Sequence, residues 1–343
     1  MTKIPKILII YTGGTIGMVK ESKDGALRSF DFSEIKKNIP ELNLLDCHIE
    51  SVSFAEPIDS SNMSNQSWVS IVDLIEEYYS KVDGFVVLTG TDTMSYTASA
   101  ISFMLENLAK PVIFTGSQLP IGDFRTDAKE NLITSIQIAS VFENNSPKIQ
   151  EVGLYFEYKL YRANRTKKIS ADQFDAFQSP NFPPLCESGV HLSFNESVLI
   201  KVNKDLPLII RKNLDENVVI LKLFPGITKA VVKNILEMPQ LRGVILETYG
   251  AGNAPTSQWF IELLDQTIRK EIPIINVTQC ISGSVVMGFY ETSSKLREIG
   301  IINGRDITTE SAIAKLKYLL GQKLGYQEFK NNFESSLRGE MTI

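Results

Sequence analysis

Histidine is nearly missing from this chain of 343 residues, occurring only as His48 and His191. Each sits in a short alternating segment, CHIES and GVHLS, and reads as an ordinary strand residue. That scarcity excludes a multi-histidine metal centre and argues against a His-dependent nucleophile triad. Cysteine is as sparse: Cys47, Cys186 and Cys280 are an odd number, widely spaced, with no Cys-x-x-Cys pair. They read as free thiols in a reducing compartment. No apolar run approaches the roughly 20 residues of a membrane span, and residues 7–11 fall short of the roughly 7–15-residue core of a secretory signal. That stretch reads as a buried first strand, and the protein as cytoplasmic with no membrane partner. Nor is positive charge in excess. With 35 Lys and Arg against 40 Asp and Glu, the net charge of −5 supplies no basic field to gather nucleic acid, and a small-molecule partner is favoured.

What is present fits a globular protein of about two domains, each able to bury a core. Short apolar runs at residues 7–11, 84–89, 111–115 and 152–156 alternate with helical patterns, an α/β rhythm with a mostly parallel sheet. Between the second and third runs, Ala98, Ile101, Leu105 and Leu108 recur at helical spacing, so a helix is expected from near Thr93 until Lys110-Pro111 closes it. Residues 203–216 are polar and interrupted by Pro207. The expected organisation is a larger N-terminal α/β domain over 1–200 with a Rossmann-like or flavodoxin-like parallel sheet, a linker over 201–215, and a smaller C-terminal α/β domain over 216–343.

In an open parallel sheet, ligands bind beyond the carboxyl ends of the strands. Two motifs fall there. The first strand runs into Tyr11-Thr12-Gly13-Gly14-Thr15-Ile16-Gly17 and the second into Thr89-Gly90-Thr91-Asp92-Thr93. Taken singly, such glycines make turns and such Thr and Asp residues cap helices. Nucleotide binding is not indicated, because GGTIG lacks the G-x-G-x-x-G spacing and no G-K-[ST] follows. Taken together, the motifs bring two hydroxyls and a carboxylate to adjacent strand ends, which suits covalent acyl transfer on a small polar substrate. A threonine hydroxyl needs a neighbouring base, and with histidine so scarce lysine is the leading candidate. Residues 160–168, LYRANRTKK, offer lysines, although by composition they read equally as a solvated basic loop.

The chain resembles the bacterial-type L-asparaginases, specifically the cytoplasmic type I form. The resemblance runs over essentially the whole length, through YTGGTIGM, DSSNM, DGFVVLTGTDTMSYTASAISFMLENL, KPVIFTGSQLP, LYRANRTKK, FDAFQSPNFPPL, YGAGNAP and TQCISGS. It implies that Thr15 is the nucleophile that forms an acyl-enzyme, with Thr91, Asp92 and Lys168 as a second catalytic group. It implies that Asp59, Ser60 and Ser61 hold the amino-acid end of L-asparagine, and that Gln118 lines the pocket. Hydroxyl and backbone donors suit the α-carboxylate, while Asp92 and Asp59 suit the α-ammonium. Backbone amides, that of Thr91 included, would hold the oxyanion. A left-handed crossover in the first domain, a homodimer or homotetramer in which Asn253 reaches the neighbour's site, and the absence of any metal or organic cofactor are implied as well.

The sequence also departs from the family. In several members a lid tyrosine follows TGGTI, where Asp24-Gly25-Ala26-Leu27 offers Ala26; residues 21–25, charged and Gly-terminated, are still expected to form a moving loop. Some cytoplasmic members have a regulatory asparagine site near the position of Cys280, with an arginine where this chain has Glu247 and a threonine where it has Lys167. Two other activities share the motifs: the amidase subunit of a tRNA-dependent amidotransferase, which would carry a domain ahead of TGGT, and a non-catalytic amino-acid sensor on the same scaffold. Retention of Thr15, Thr91, Asp92 and Lys168 argues against the sensor. Because Glu247 cannot bind a carboxylate as arginine does, activation by asparagine is expected to be weak or absent. Initial rates against asparagine concentration should be hyperbolic; a sigmoidal curve that preincubation with asparagine makes hyperbolic would contradict this.

Overall fold

The computed structural model describes residues 4–20, 27–29, 39–203, 205–288 and 291–343, in two compact units, Met1–Lys212 and Asn213–Ile343. In the first unit, β1 (Lys6–Tyr11) is apolar and buried almost throughout, as a strand covered on both faces must be. It is followed by β2 (His48–Ser53), whose residues are largely exposed, and α1 (Asn65–Tyr78), started by a capping box between Ser64 and Ser67. Then come β3 (Gly84–Leu88), α2 (Met94–Met104), β4 (Val112–Thr115), α3 (Ala128–Ala139) and β5 (Val152–Phe156). An antiparallel extension, β6 (Lys159–Arg162), β7 (Cys186–Ser188) and β8 (Leu192–Phe194), completes the sheet.

The strands lie side by side in the order β8-β7-β6-β5-β4-β3-β1-β2. From β2 to β5 all pairs are parallel, and their order, 2-1-3-4-5, is that of flavodoxin-like sheets. One face buries Ile7, Ile9, Val86, Leu88 and Ile113 against Leu132 and Ile136 of α3. Each such side chain contributes about 1.5–3 kcal/mol of burial. Across α1 and α2 the Trp68 indole donates to the Thr97 hydroxyl at 3.1 Å, so the one polar group on that ring is satisfied in the interior.

Two local expectations fail. The helix from Thr93 ends at Met104 rather than near Leu108, because Leu105–Glu106 pair as a short strand with Ile209–Ile210 and the Arg211 amide donates to the Met104 carbonyl. A segment a hundred residues away in sequence has taken over the backbone groups that another helical turn would have used. His48 opens β2, but His191 lies outside any strand, in the bend that the Gly189 amide closes onto its carbonyl between β7 and β8.

The second unit repeats the α/β rhythm with β9 (Val218–Lys222), α4 (Lys229–Leu236), β10 (Gly243–Thr248), α5 (Gln258–Arg269) and β11 (Ile274–Thr278). It ends with α6 (Glu291–Glu298), β12 (Ile302–Asn303), α7 (Thr309–Gly321) and α8 (Tyr326–Glu334). Its sheet is wholly parallel, in the order β9-β10-β11-β12. Thr228 and Thr308 cap α4 and α7 through their side-chain oxygens. Lys315 of α7 and Glu340 are fully buried as an ion pair, with the Lys315 ammonium also donating to the Phe333 carbonyl at 2.8 Å. Loss of one partner would strand the other's charge in the interior, at a cost of about 3–5 kcal/mol. Among the described residues no helix is long and apolar enough to cross a membrane.

Candidate active site

Three loops meet beyond the carboxyl ends of β1, β2 and β3, at the point where the strand order reverses. Gly13 and Gly14 follow β1 with φ of 134° and 89°, conformations that favour glycine. Space forbids a side chain there as well. A Cβ on Gly13 would overlap the Ile58 backbone, and one on Gly14 would overlap the Gly90 amide. A Cβ on Gly90 would in turn lie 2.6 Å from the Ser60 hydroxyl oxygen. TGGTI is therefore packed backbone to backbone on Ile58 and on TGTDT, while Gly90 of TGTDT lies against the Ser60 side chain of DSSN. Hydrogen bonds tie them further: the Ile58 amide to the Thr12 carbonyl at 2.7 Å, the Thr12 amide to the Leu88 carbonyl at 2.9 Å, and the Thr93 hydroxyl to the Ser60 carbonyl at 2.7 Å.

Thr15 opens a single 3-10 turn, Thr15–Gly17, and is half-buried. The turn rests on the Tyr11 ring, which leaves no room for a side chain at Gly17. Burial pushes the Tyr11 phenol up to about 12, so near neutrality it stays protonated. Sequence reading missed Tyr11 as the floor of this turn.

Beside that turn, the Lys168 ammonium donates to the Thr91 hydroxyl at 2.7 Å and to Asp92 Oδ1 at 2.7 Å. Since Thr91 Oγ1 accepts from Lys168, its own proton is directed elsewhere, to Gln118 Oε1 at 3.3 Å. The Lys168 side chain is 16% exposed, while that of Asp92 is 70% exposed. Pairing with so open a carboxylate adds at most about 1 kcal/mol to stability, so the arrangement orients groups more than it holds the fold.

How Lys168 reaches this position overturns the reading of LYRANRTKK as a solvated basic loop, since Arg162, Asn164, Arg165 and Thr166 are all buried. Arg162 grips Glu151 with two nitrogens, at 2.6 and 3.2 Å, and both Arg162 and Arg165 lie over the Phe182 ring. Asn164 donates to the Ser102 hydroxyl, and the Thr166 and Ser95 hydroxyls are hydrogen-bonded, Ser95 and Ser102 both lying on α2. The segment is thus bolted to the helix that follows Thr91 and Asp92, and the Lys167–Lys168 strand paired with Phe177–Gln178 continues from it. No signal in the motif itself marks these residues as interior, because Glu151, which neutralises Arg162, stands outside it.

The other residues singled out from sequence are distributed as follows. Asp59 caps its own short turn, accepting from the Ser61 amide at 2.8 Å and the Ser61 hydroxyl at 2.7 Å; these bonds hold its carboxyl below the usual range. Ser60 is buried at the Gly90 contact, and Ser61 is exposed. Asn253 lies in the second unit, exchanging backbone hydrogen bonds with Tyr249. Of the regulatory positions, Glu247 is buried and its carboxylate accepts from the Thr309 hydroxyl at 2.6 Å, Cys280 is exposed, and Lys167 is half-buried in the first unit. Ala26 and residues 21–25 lie outside the described residues. A groove of about 530 Å³ beside Ser53, Glu56, Gln66 and Asp73 contains none of the motif residues, and the convergence of hydroxyl, ammonium and carboxylate groups marks the site instead.

Residues 6–199 match the family model described as asparaginase, N-terminal, and residues 217–333 match the glutaminase/asparaginase C-terminal domain. The chain belongs to the asparaginase family. It is 41% identical to L-asparaginase 1 of Escherichia coli K12 over 98% of each chain. A crystal structure of L-asparaginase I from Vibrio cholerae superposes with a TM-score of 0.89 at 39% identity, covering 99% of both chains. A glutamyl-tRNA(Gln) amidotransferase component from Pyrococcus abyssi is 29% identical over 99% of this chain and 77% of its own length. In this asparaginase-family chain, Gly14 and Gly226 share nearly the same φ, 89° and 88°, but nothing lies within 4 Å of a Cβ on Gly226. Gly14→Ala should therefore lose clearly more unfolding free energy than Gly226→Ala, whose cost is the left-handed strain of about 1–2 kcal/mol alone. Equal losses in urea titrations would contradict the backbone-packed site.

Proposed function

We propose that the protein is an L-asparaginase that hydrolyses L-asparagine to L-aspartate and ammonia through Thr15. The observation that carries this reading is the Lys168, Thr91 and Asp92 cluster, on a loop whose Gly90 leaves no space against Gly14, the residue before Thr15. Thr15 Oγ adds to the side-chain amide carbon. The C–N bond then breaks, ammonia carries away the proton of the Thr15 hydroxyl, and an ester joins the acyl group to Thr15. Water adds to that ester in the second half, Thr15 regains its proton and aspartate leaves. Thr91, hydrogen-bonded to Lys168, handles the water and its proton, while the exposed Asp92 carboxylate faces the α-ammonium. Asp59, Ser60 and Ser61 receive the amino-acid end, and Gln118 borders the pocket. No step calls for a metal or organic cofactor.

Likeness to L-asparaginase 1 over 98% of both chains favours this activity over the amidotransferase reading. Three scattered free thiols fit a cytoplasmic protein. We further propose a homodimer or homotetramer in which Asn253 serves the neighbouring site. Sedimentation equilibrium should give two or four times the chain mass, and a monomer would contradict it.

The purified protein should release ammonia from L-asparagine. Thr15→Ala should abolish release, and Lys168→Met should lower kcat by about 10²–10⁴-fold with the fold intact by circular dichroism. Undiminished turnover by Thr15→Ala would overturn the nucleophile assignment.

A further inference from the structure

Asp127 stands at the N-cap position of α3, yet its carboxylate makes no capping bond to that helix. The forgone cap would have been worth about 0.5–2 kcal/mol. Only 5% exposed, the side chain turns back onto the loop that leaves β4. Its Oδ2 accepts from the Gln118 amide at 2.9 Å, and its Oδ1 accepts from the Leu119 amide at 3.2 Å. One turn along, Asn131 donates to the Gly116 carbonyl at 3.0 Å and to Asp127 Oδ2 at 3.3 Å, while its Oδ1 accepts from the Glu157 amide at 3.1 Å. Gly116 is itself confined, since a Cβ there would meet the Thr89 carbonyl oxygen at 2.5 Å.

The loop is fixed at three successive points, and the Gln118 side chain at a fourth. Its Nε2 donates to the Gln173 carbonyl at 2.9 Å. A carbonyl can only accept, so this contact settles which end of the amide is which and leaves Oε1 facing the Thr91 hydroxyl. Burial pushes the Asp127 carboxyl up, and the Gln118 and Leu119 amides pull against that shift. A carboxylate withdrawn from water and from capping its own helix is directed to the loop that aims Gln118.

We propose that Asp127 is a positioning residue: through the Gln118 amide it aims the Gln118 side-chain oxygen at the Thr91 proton, leaving the Thr91 lone pairs to Lys168 and the reacting water. The inference rests on the asparaginase reading above. Asn131 completes the device by joining the loops after β4 and β5.

The test pairs kinetics with hydrogen exchange on the full-length protein. Asp127→Asn keeps the shape but sets an NH2 group against an amide donor. It should lower kcat for asparagine by about tenfold or more, with KM within about twofold, because small misplacement near the reacting atoms falls on the chemical step. Gln118→Ala should do the same, and the double variant should be no slower than Gln118→Ala to within about twofold, since both act through one contact. Losses that multiply in the double variant would overturn the proposal. Independently of turnover, the Gln118 and Leu119 amides should exchange about tenfold faster in Asp127→Asn, as expected when a protecting acceptor is lost, while Leu132 and Ile136 in α3 keep their wild-type rates. Unchanged exchange at Gln118 and Leu119 would also overturn it. Should Asp127→Asn perturb α3, Asp127→Ser replaces it, because serine is a good N-cap yet too short to reach the loop. Wild-type protein that releases no ammonia from asparagine would sink the asparaginase reading, and the exchange arm would still decide whether Asp127 holds the loop.

Discussion

Backbone packed directly on backbone is the constraint from which the rest of the site follows. Where the Gly13 backbone meets that of Ile58 and the Gly14 backbone that of Gly90, and where Gly90 meets the Ser60 side chain, no space remains for a further side chain. A parallel sheet in the order 2-1-3-4-5 brings the ends of β1, β2 and β3 side by side. Glycine then lets their loops close the remaining gap. Thr15, Thr91 and Ser60 thus come from separate motifs yet are placed by one contact surface, which fixes them more tightly than flexible loops could.

The cationic side is built differently, from buried charge. Arg162 is neutralised by Glu151, Arg165 lies over the Phe182 ring, and Asn164 and Thr166 dock onto α2. Only at Lys168 does the run offer an ammonium to the site. Burying two guanidiniums is costly unless each has a partner of good geometry, and here the partners double as the mounting that presents Lys168 to Thr91. Gln118 Oε1 accepts from the same hydroxyl, so Thr91 has a defined donor and a defined acceptor.

Much of this was readable in the chain, for reasons that differ by element. Strands buried on both faces, such as β1, β3 and β5, appear as unbroken apolar runs, and the motifs at their ends announced Thr15, Thr91 and Asp92. Lys168 was legible through family resemblance, since composition alone made its segment look solvated. What could not be read depends on partners distant in sequence. The end of α2 is set by Ile209–Ile210, and Arg162 needs Glu151 to make sense as an interior residue. Asp127 drew no notice in the sequence, because nothing local reveals that its carboxylate faces the preceding loop.

The contact between Lys168 and Thr91 joins residues 77 positions apart, and the one between Thr93 and Ser60 spans 33. Contacts of such long range require large loops to close before they reward the chain, and they form late when a polypeptide folds. Helices can be in place before β1 pairs with β3, itself a contact across 77 positions, and until then the two threonines are still unacquainted. In a refolding chain, then, competence for chemistry trails the return of helices, and it serves as a more stringent sign of a finished molecule than any measure of helix content.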